Sequence, residues 1–254
     1  MAEPTLLYFA FAAAAGMLGG AMNALAGGGT FATMPALIAL GLPSPVANAT
    51  SNVALQPGAI ASAWTYRAGL EPMGGLSIRL LTLITFVGGV AGSLLLLWTP
   101  ARLFDIIVPW LLLLATLALA FGPKASIALR SRVSIGAGTL VVVQFLLGLY
   151  GGYFGGGVGL MMTATLGLLT GAEPHRLAAP RTLMLATANA AAAIVFIAGG
   201  MVRWIWCLPM IAGAIAGGYL GARLGTILPP PVIRGWTLIV TGATTAVFFW
   251  RAYG

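Results

Sequence analysis

Two glycine triplets stand among apolar residues, Gly27-Gly28-Gly29 and Gly155-Gly156-Gly157. Each precedes a short hydrophobic piece, residues 31–40 and 158–170, too short to cross a bilayer, which takes about 20 apolar residues. A break in a helix frees N–H and C=O groups, and hydrocarbon tolerates these only where protein, water or a bound solute satisfies them. The start of a half-helix also presents partial positive charge, suited to an anion. Beyond the first triplet, residues 48–56 carry five amide or hydroxyl side chains, Asn48, Thr50, Ser51, Asn52 and Gln56. Four-residue spacing puts Asn48 with Asn52, and Asn52 with Gln56, on one helix face. The second-half counterpart carries Arg181, Thr182, Thr187 and Asn189, with Arg181 at the offset of Ser51. A charge inside a membrane is costly and by default marks a functional site. Together these residues form a candidate cage for a small anion, lined by both triplets, by Thr50, Ser51, Asn52 and Gln56, and by Arg181, Thr182, Thr187 and Asn189. Asn23 and Gln144, lone amides in apolar spans, are weaker candidates.

Each feature has a plainer reading. The glycines serve close helix packing or a flexible break. The amides glue helices together, at about 0.6–2 kcal/mol per hydrogen bond. Arg181, placed about six residues or roughly 9 Å into its helix, reaches back to the interface.

Other chemistry lacks its parts. His175 and Cys207 are the single His and Cys, and the four acids are Glu3, Glu71, Asp105 and Glu173. No nucleophile–base–orienter set and no metal-ligand cluster can be assembled from them, so neither catalytic nor metal-binding residues are assigned, no cofactor is expected, and the chain reads as a non-enzyme. No acid lies within a span core, so carboxylate-based ion coupling is also without its usual groups, and uncoupled, electrogenic movement is expected.

The elements that hold these residues follow from composition. The chain is 60% hydrophobic and 6% charged over 254 residues, with a mean hydropathy of +1.02. A soluble domain carries about 25% charged residues. The surface must therefore face lipid, and the fold class is all-α, a polytopic transmembrane helix bundle. Spans are predicted at 6–26, 80–98, 106–121, 133–150, 182–198, 204–222 and 232–250, with a polar-flecked helix at 46–66. Pairs such as Gly16/Gly20, Gly88/Gly92, Gly213/Gly217 and Gly217/Gly221 read as helix-packing faces. The net charge of +8 is dispersed between apolar segments, unlike a nucleic-acid-binding patch. Residues 1–5 contain no basic segment, so a cleaved secretory signal is not expected.

The sequence nearly repeats. After each triplet come a short apolar piece, a turn (Gly41-Leu42-Pro43-Ser44-Pro45; Gly171-Ala172-Glu173-Pro174), a helix, and a further glycine 28 positions past the turn glycine, at Gly69 and Gly199. A Gly-rich span, a Pro-bearing turn and a last span follow. The division expected is 1–122, first repeat; 123–134, a basic connector with Lys124, Arg130 and Arg132, cytoplasmic by the positive-inside rule; and 135–254, second repeat. With the N-terminus outside, one span, a V-shaped re-entrant pair and two spans give an odd count, and hence inverted repeats. Charge bias among the second-half cations fits inverted and parallel repeats equally.

The Gly-rich openings, the Gly41–Leu55 stretch "GLPSPVANATSNVAL" and the two-fold repeat around a basic loop resemble the TauE/SafE family of membrane permeases, the sulfite exporters, over nearly the whole chain. The resemblance implies a bacterial inner-membrane exporter of small sulfur-containing anions, such as sulfite or sulfonates like sulfoacetate and taurine. Where family members often carry a Gly-Thr-Ser-like stretch, this chain has Pro180-Arg181-Thr182, which favours an anion with an extra charge or oxygen. The site is expected between the repeats, with Thr50, Ser51, Asn52 and Gln56 facing Arg181, Thr182, Thr187 and Asn189. A non-transporting membrane scaffold and an anion channel are the rival readings. Oligomeric state is left open.

Overall fold

A computed structural model describes residues 5–130, 136–172 and 176–254, without the side chains of 123–130, Thr226 and Pro230. Glu3, Glu173, Pro174, His175, Arg132 and the side chains of Lys124 and Arg130 lie outside the described residues, and with them the test of the basic connector.

Ten α-helices make up the described chain: α1 (Leu6–Ala26), α2 (Thr30–Ala39), α3 (Ser44–Tyr66), α4 (Ile78–Trp98), α5 (Ala101–Arg130), α6 (Ala137–Tyr153), α7 (Val158–Thr170), α8 (Ala178–Ala198), α9 (Trp204–Ile227) and α10 (Pro230–Tyr253). Six of them, α1, α4, α5, α8, α9 and α10, are long and apolar enough to span a bilayer. α3 has 23 residues, about 34 Å at 1.5 Å per residue, but its amides and hydroxyls lower its hydropathy. It is one continuous helix rather than an arm of a re-entrant pair, so the returning element of the first half is the ten-residue α2 alone.

Glycine and proline place the boundaries. Gly27 ends α1 in the left-handed region at φ +80°, where its N–H caps the Met22 and Asn23 carbonyls. Such a φ suits a residue without Cβ. Gly171 ends α7 the same way, at φ +70°. Pro45 and Pro230 sit in the first turns of α3 and α10, where a missing N–H breaks no helical bond.

Residue pairings fix the relative directions. α1 runs parallel to α9, with Ala13, Met17 and Ala21 against Gly213, Gly217 and Gly221, and Gly16 and Gly20 against Met210 and Ala214. α4 runs parallel to α6, with Gly88 and Gly92 against the Phe145–Tyr153 backbone, and Gly148 and Gly152 against Thr85 and Gly89. At these glycines a Cβ would strike the backbone of the facing helix. The four-residue glycine pairs are thus packing faces, because lipid gives helices no hydrophobic drive to associate and close backbone approach supplies it. α2 folds back along α1, with Thr33 beside Gly19, and α3 runs with α1 again. α3 and α8 cross antiparallel at the centre, as do α5 and α10 at one side. The outer surface exposes Leu83, Ile239 and Val247 along helix middles, as a lipid-facing surface requires. Trp98, Trp204 and Trp250 sit exposed near helix ends, where amphipathic rings favour the membrane interface.

Candidate functional site

The two helix breaks meet. α1 stops at Gly27 and α2 begins at Thr30; α6 stops at Tyr153 and α7 begins at Val158. Gly27 lies against Gly159, so closely that a Cβ on Gly27 would stand 3.0 Å from the Gly159 Cα. Gly155 and Gly157 both have positive φ, at +74° and +73°. Neither α2 nor α7 has a side-chain cap at its start. The junction therefore brings together two helix N-termini without side-chain caps, an arrangement suited to negative charge.

α3 and α8 form the wall of this junction. The Asn52 amide donates to Asn189 Oδ1 at 3.4 Å, and both side chains border Gly155. One turn to either side, Asn48 Nδ2 donates to the Tyr153 carbonyl at 3.1 Å and Gln56 Nε2 to the Ala186 carbonyl at 3.1 Å. All three α3 amides are at least nine-tenths buried and reach second-half partners. Each keeps a side-chain oxygen without a partner.

The expected cage is brought together only in part. Gly155, Asn52 and Asn189 converge, Gln56 stands one turn along α3 on the Ala186 carbonyl, and Gly27 and Gly157 meet the opposite half at Gly159 and Phe31. Gly28 borders Phe31 and, across the junction, Leu160 of α7, whereas Gly29 packs locally against Gly19, Asn23 and Leu55. Ser51 turns toward α2 and shares a short hydrogen bond with Thr33. Thr50 faces the other way, accepting from the Arg203 N–H at 3.1 Å. Thr182 and Thr187 donate back into their own helix, to Ala178 and Ala179 and to Leu183.

Arg181 is displaced from the cage. α8 starts at Ala178, later than a six-residue depth requires, so Arg181 is its fourth residue and lies about 5 Å from its start rather than 9 Å. It sits eight residues from Asn189, about 12 Å along the helix. There it is half-buried, within electrostatic reach of Tyr66 at the far end of α3. Pro180 stands beside it in the first turn, where proline does not break a helix, and so the helix opens just ahead of the proline. Gln144 is likewise elsewhere, buried in the α4/α6 seam with its amide on Thr85 Oγ1 at 2.6 Å.

Two residues escaped the sequence reading. Tyr150 Oη lies 2.7 Å from the Gly156 carbonyl and 3.1 Å from that of Leu111, fixing the second triplet. Thr33, bonded to Ser51 and to the Gly29 carbonyl at 3.2 Å, fixes the first. The signal for Thr33 was present in its four-residue spacing from Gly29; an isolated Tyr in an apolar run gives none.

Residues 12–248 match the family described as "Sulfite exporter TauE/SafE". The chain belongs to this family. Among relatives of this TauE/SafE chain, the probable membrane transporter protein YfcA of Escherichia coli (strain K12) is 30% identical over 254 residues, covering 100% of this chain and 93% of the relative. A probable membrane transporter protein of Haemophilus influenzae is 32% identical over 232 residues, 91% of this chain and 90% of the relative. No solved structure matches the TauE/SafE chain. With its apolar spanning helices and its transporter relatives, it is a multi-pass integral membrane transporter.

Proposed function

We propose that this transporter exports small sulfur-containing anions, such as sulfite or sulfonates like sulfoacetate and taurine, across the bacterial inner membrane. The substrate sits where the two helix breaks meet, between the halves 1–122 and 135–254, with the connector 123–134 cytoplasmic. The observation that carries this reading is the pairing of two uncapped helix starts, α2 and α7, at the Gly27/Gly159 contact. First-turn N–H groups and aligned peptide dipoles can hold an oxyanion without a fixed cation, and such a site releases its solute more readily than an ion pair would. Arg181 serves as an entrance charge at the end of α8, drawing anions toward the junction.

The halves are inverted repeats. Support comes from helix directions: α3 runs with α1, α4 runs with both α6 and α8, and α3 opposes α8. α1 and α6, the two opening helices, then point opposite ways. Partners also exchange between halves, α1 with α9 and α4 with α6. Two inverted halves packed around a central break can rock to expose it alternately.

The test is thermal stability in detergent with sulfite, thiosulfate, taurine, sulfoacetate and sulfolactate, followed by flux of the stabilising anion into proteoliposomes. Saturable stabilisation by some of these anions, lost in Gly27→Leu, is expected. Equal indifference to all five would refute the reading and return the scaffold alternative.

A further inference from the structure

The central amides are turned the wrong way for an anion. The Asn48 and Gln56 NH2 groups each face a backbone carbonyl, Tyr153 and Ala186. A carbonyl only accepts, so these amide orientations are fixed and the oxygens are the atoms left over. Asn52 and Asn189 share one bond, and the Asn52 oxygen is the unpaired one. A buried acceptor without a donor is destabilising. Three of them on one helix face, at four-residue spacing, form a row of electron-rich atoms.

Their surroundings add to the same sign. The row abuts the C-terminal end of α6, where the helix dipole is negative and the last carbonyls lack helical partners. The Gly151 carbonyl and Asn189 Oδ1 border Gly155, with the Asn52 NH2 group beside them and already given to Asn189. Arg181, the nearest charged side chain on α8, is about 12 Å away along the helix. No acid of the described residues lies on α3, α6 or α8.

We infer that Asn48, Asn52 and Asn189, with the Gly151 and Tyr153 carbonyls at the end of α6, form a binding site for a desolvated alkali cation of sodium size. Neutral oxygens are the ligands that hard cations take, and carbonyls at the C-terminal ends of broken helices bind sodium in membrane transporters. Occupancy satisfies the left-over Asn48 and Asn52 oxygens and sets a positive charge beside the α2 and α7 starts, where the anion is placed. A cation site built from amides escapes a search for carboxylates. That is why the sequence shows no parts for it.

The site is tested on the full-length protein in detergent, without any sulfur anion, so the outcome is separate from that of the proposed function. Melting temperature is followed while sodium chloride replaces choline chloride at constant ionic strength. A saturable rise with sodium is expected, absent in Asn52→Leu. Asn48→Asp adds charge to the site; it should melt lower in choline and reach half-saturation at a lower sodium concentration than the wild type. A rise equal in choline and sodium, a sodium response kept in Asn52→Leu, or an unchanged half-saturation in Asn48→Asp would each overturn the site. Should Asn52→Leu fail to fold, the Asn48→Asp titration decides alone.

Discussion

Glycine is used in two opposite ways in this molecule. Along α1/α9 and α4/α6 it keeps helices whole and lets their backbones touch: Gly217 lies on the Met17 carbonyl and Gly92 on that of Leu149. At the central crossing it stops helices, with positive φ at Gly27, Gly155 and Gly157. The seams are close-packed, with Gln144 Oε1 the one buried amide oxygen left over in them among the described residues. The crossing collects left-over oxygens and uncapped helix starts. One residue type thus gives rigidity at the flanks and unmet polar capacity at the centre, and only its conformation tells the two uses apart.

The seams should be broken most violently. Gly217→Leu drives a side chain into the Met17 backbone, where neither partner can yield, and no monodisperse folded protein is expected on size exclusion in detergent. Gly242→Ala is the control. No atom lies within 4 Å of that added Cβ, and stability should stay within about 0.5 kcal/mol of wild type.

Next comes the crossing itself. Gly157→Ala places a Cβ at positive φ, 2.6 Å from the Ala115 Cβ; the backbone strain alone is about 1–2 kcal/mol. The protein should still fold, and transport per folded molecule in proteoliposomes should fall. Transport unchanged in Gly157→Ala would remove the distinction drawn above.

A finer probe asks whether a seam can carry polar groups. Thr85→Val deprives the buried Gln144 amide of its acceptor, a loss of about 1–3 kcal/mol. Adding Gln144→Leu removes the stranded amide and should restore most of it in a thermal melt. The smallest effect belongs to the surface. Arg176 and Glu71 pair at 2.9 Å with side chains 60% and 66% exposed, so Arg176→Ala should change the melt by no more than about 1 kcal/mol.

Span positions were legible because apolar length is a one-dimensional property. The 6–26 and 158–170 segments match α1 and α7 residue for residue, and the glycine pairs at four-residue spacing became the seams. The convergence of Asn52 with Asn189 was legible too, since polar residues in apolar helices must seek each other. Arg181 was misplaced because the start of its helix depended on Pro180, and a proline can end one segment or open the next. The direction of the amides was beyond reach. Which atom of Asn48 is left over depends on the Tyr153 carbonyl, 105 residues away, and composition says nothing of that.

The exchange of partners between α1 and α9 bears on how the chain is made. Met17 emerges from the ribosome about 200 residues before Gly217, its neighbour in the seam. At a synthesis rate of about 5–20 residues per second, the first helix waits roughly 10–40 s in lipid with its glycine stripe bare. During that interval it is a target for membrane chaperones and proteases, and a half-length product could never bury that stripe by itself. The α1 face is therefore closed only late in translation, when α9 arrives.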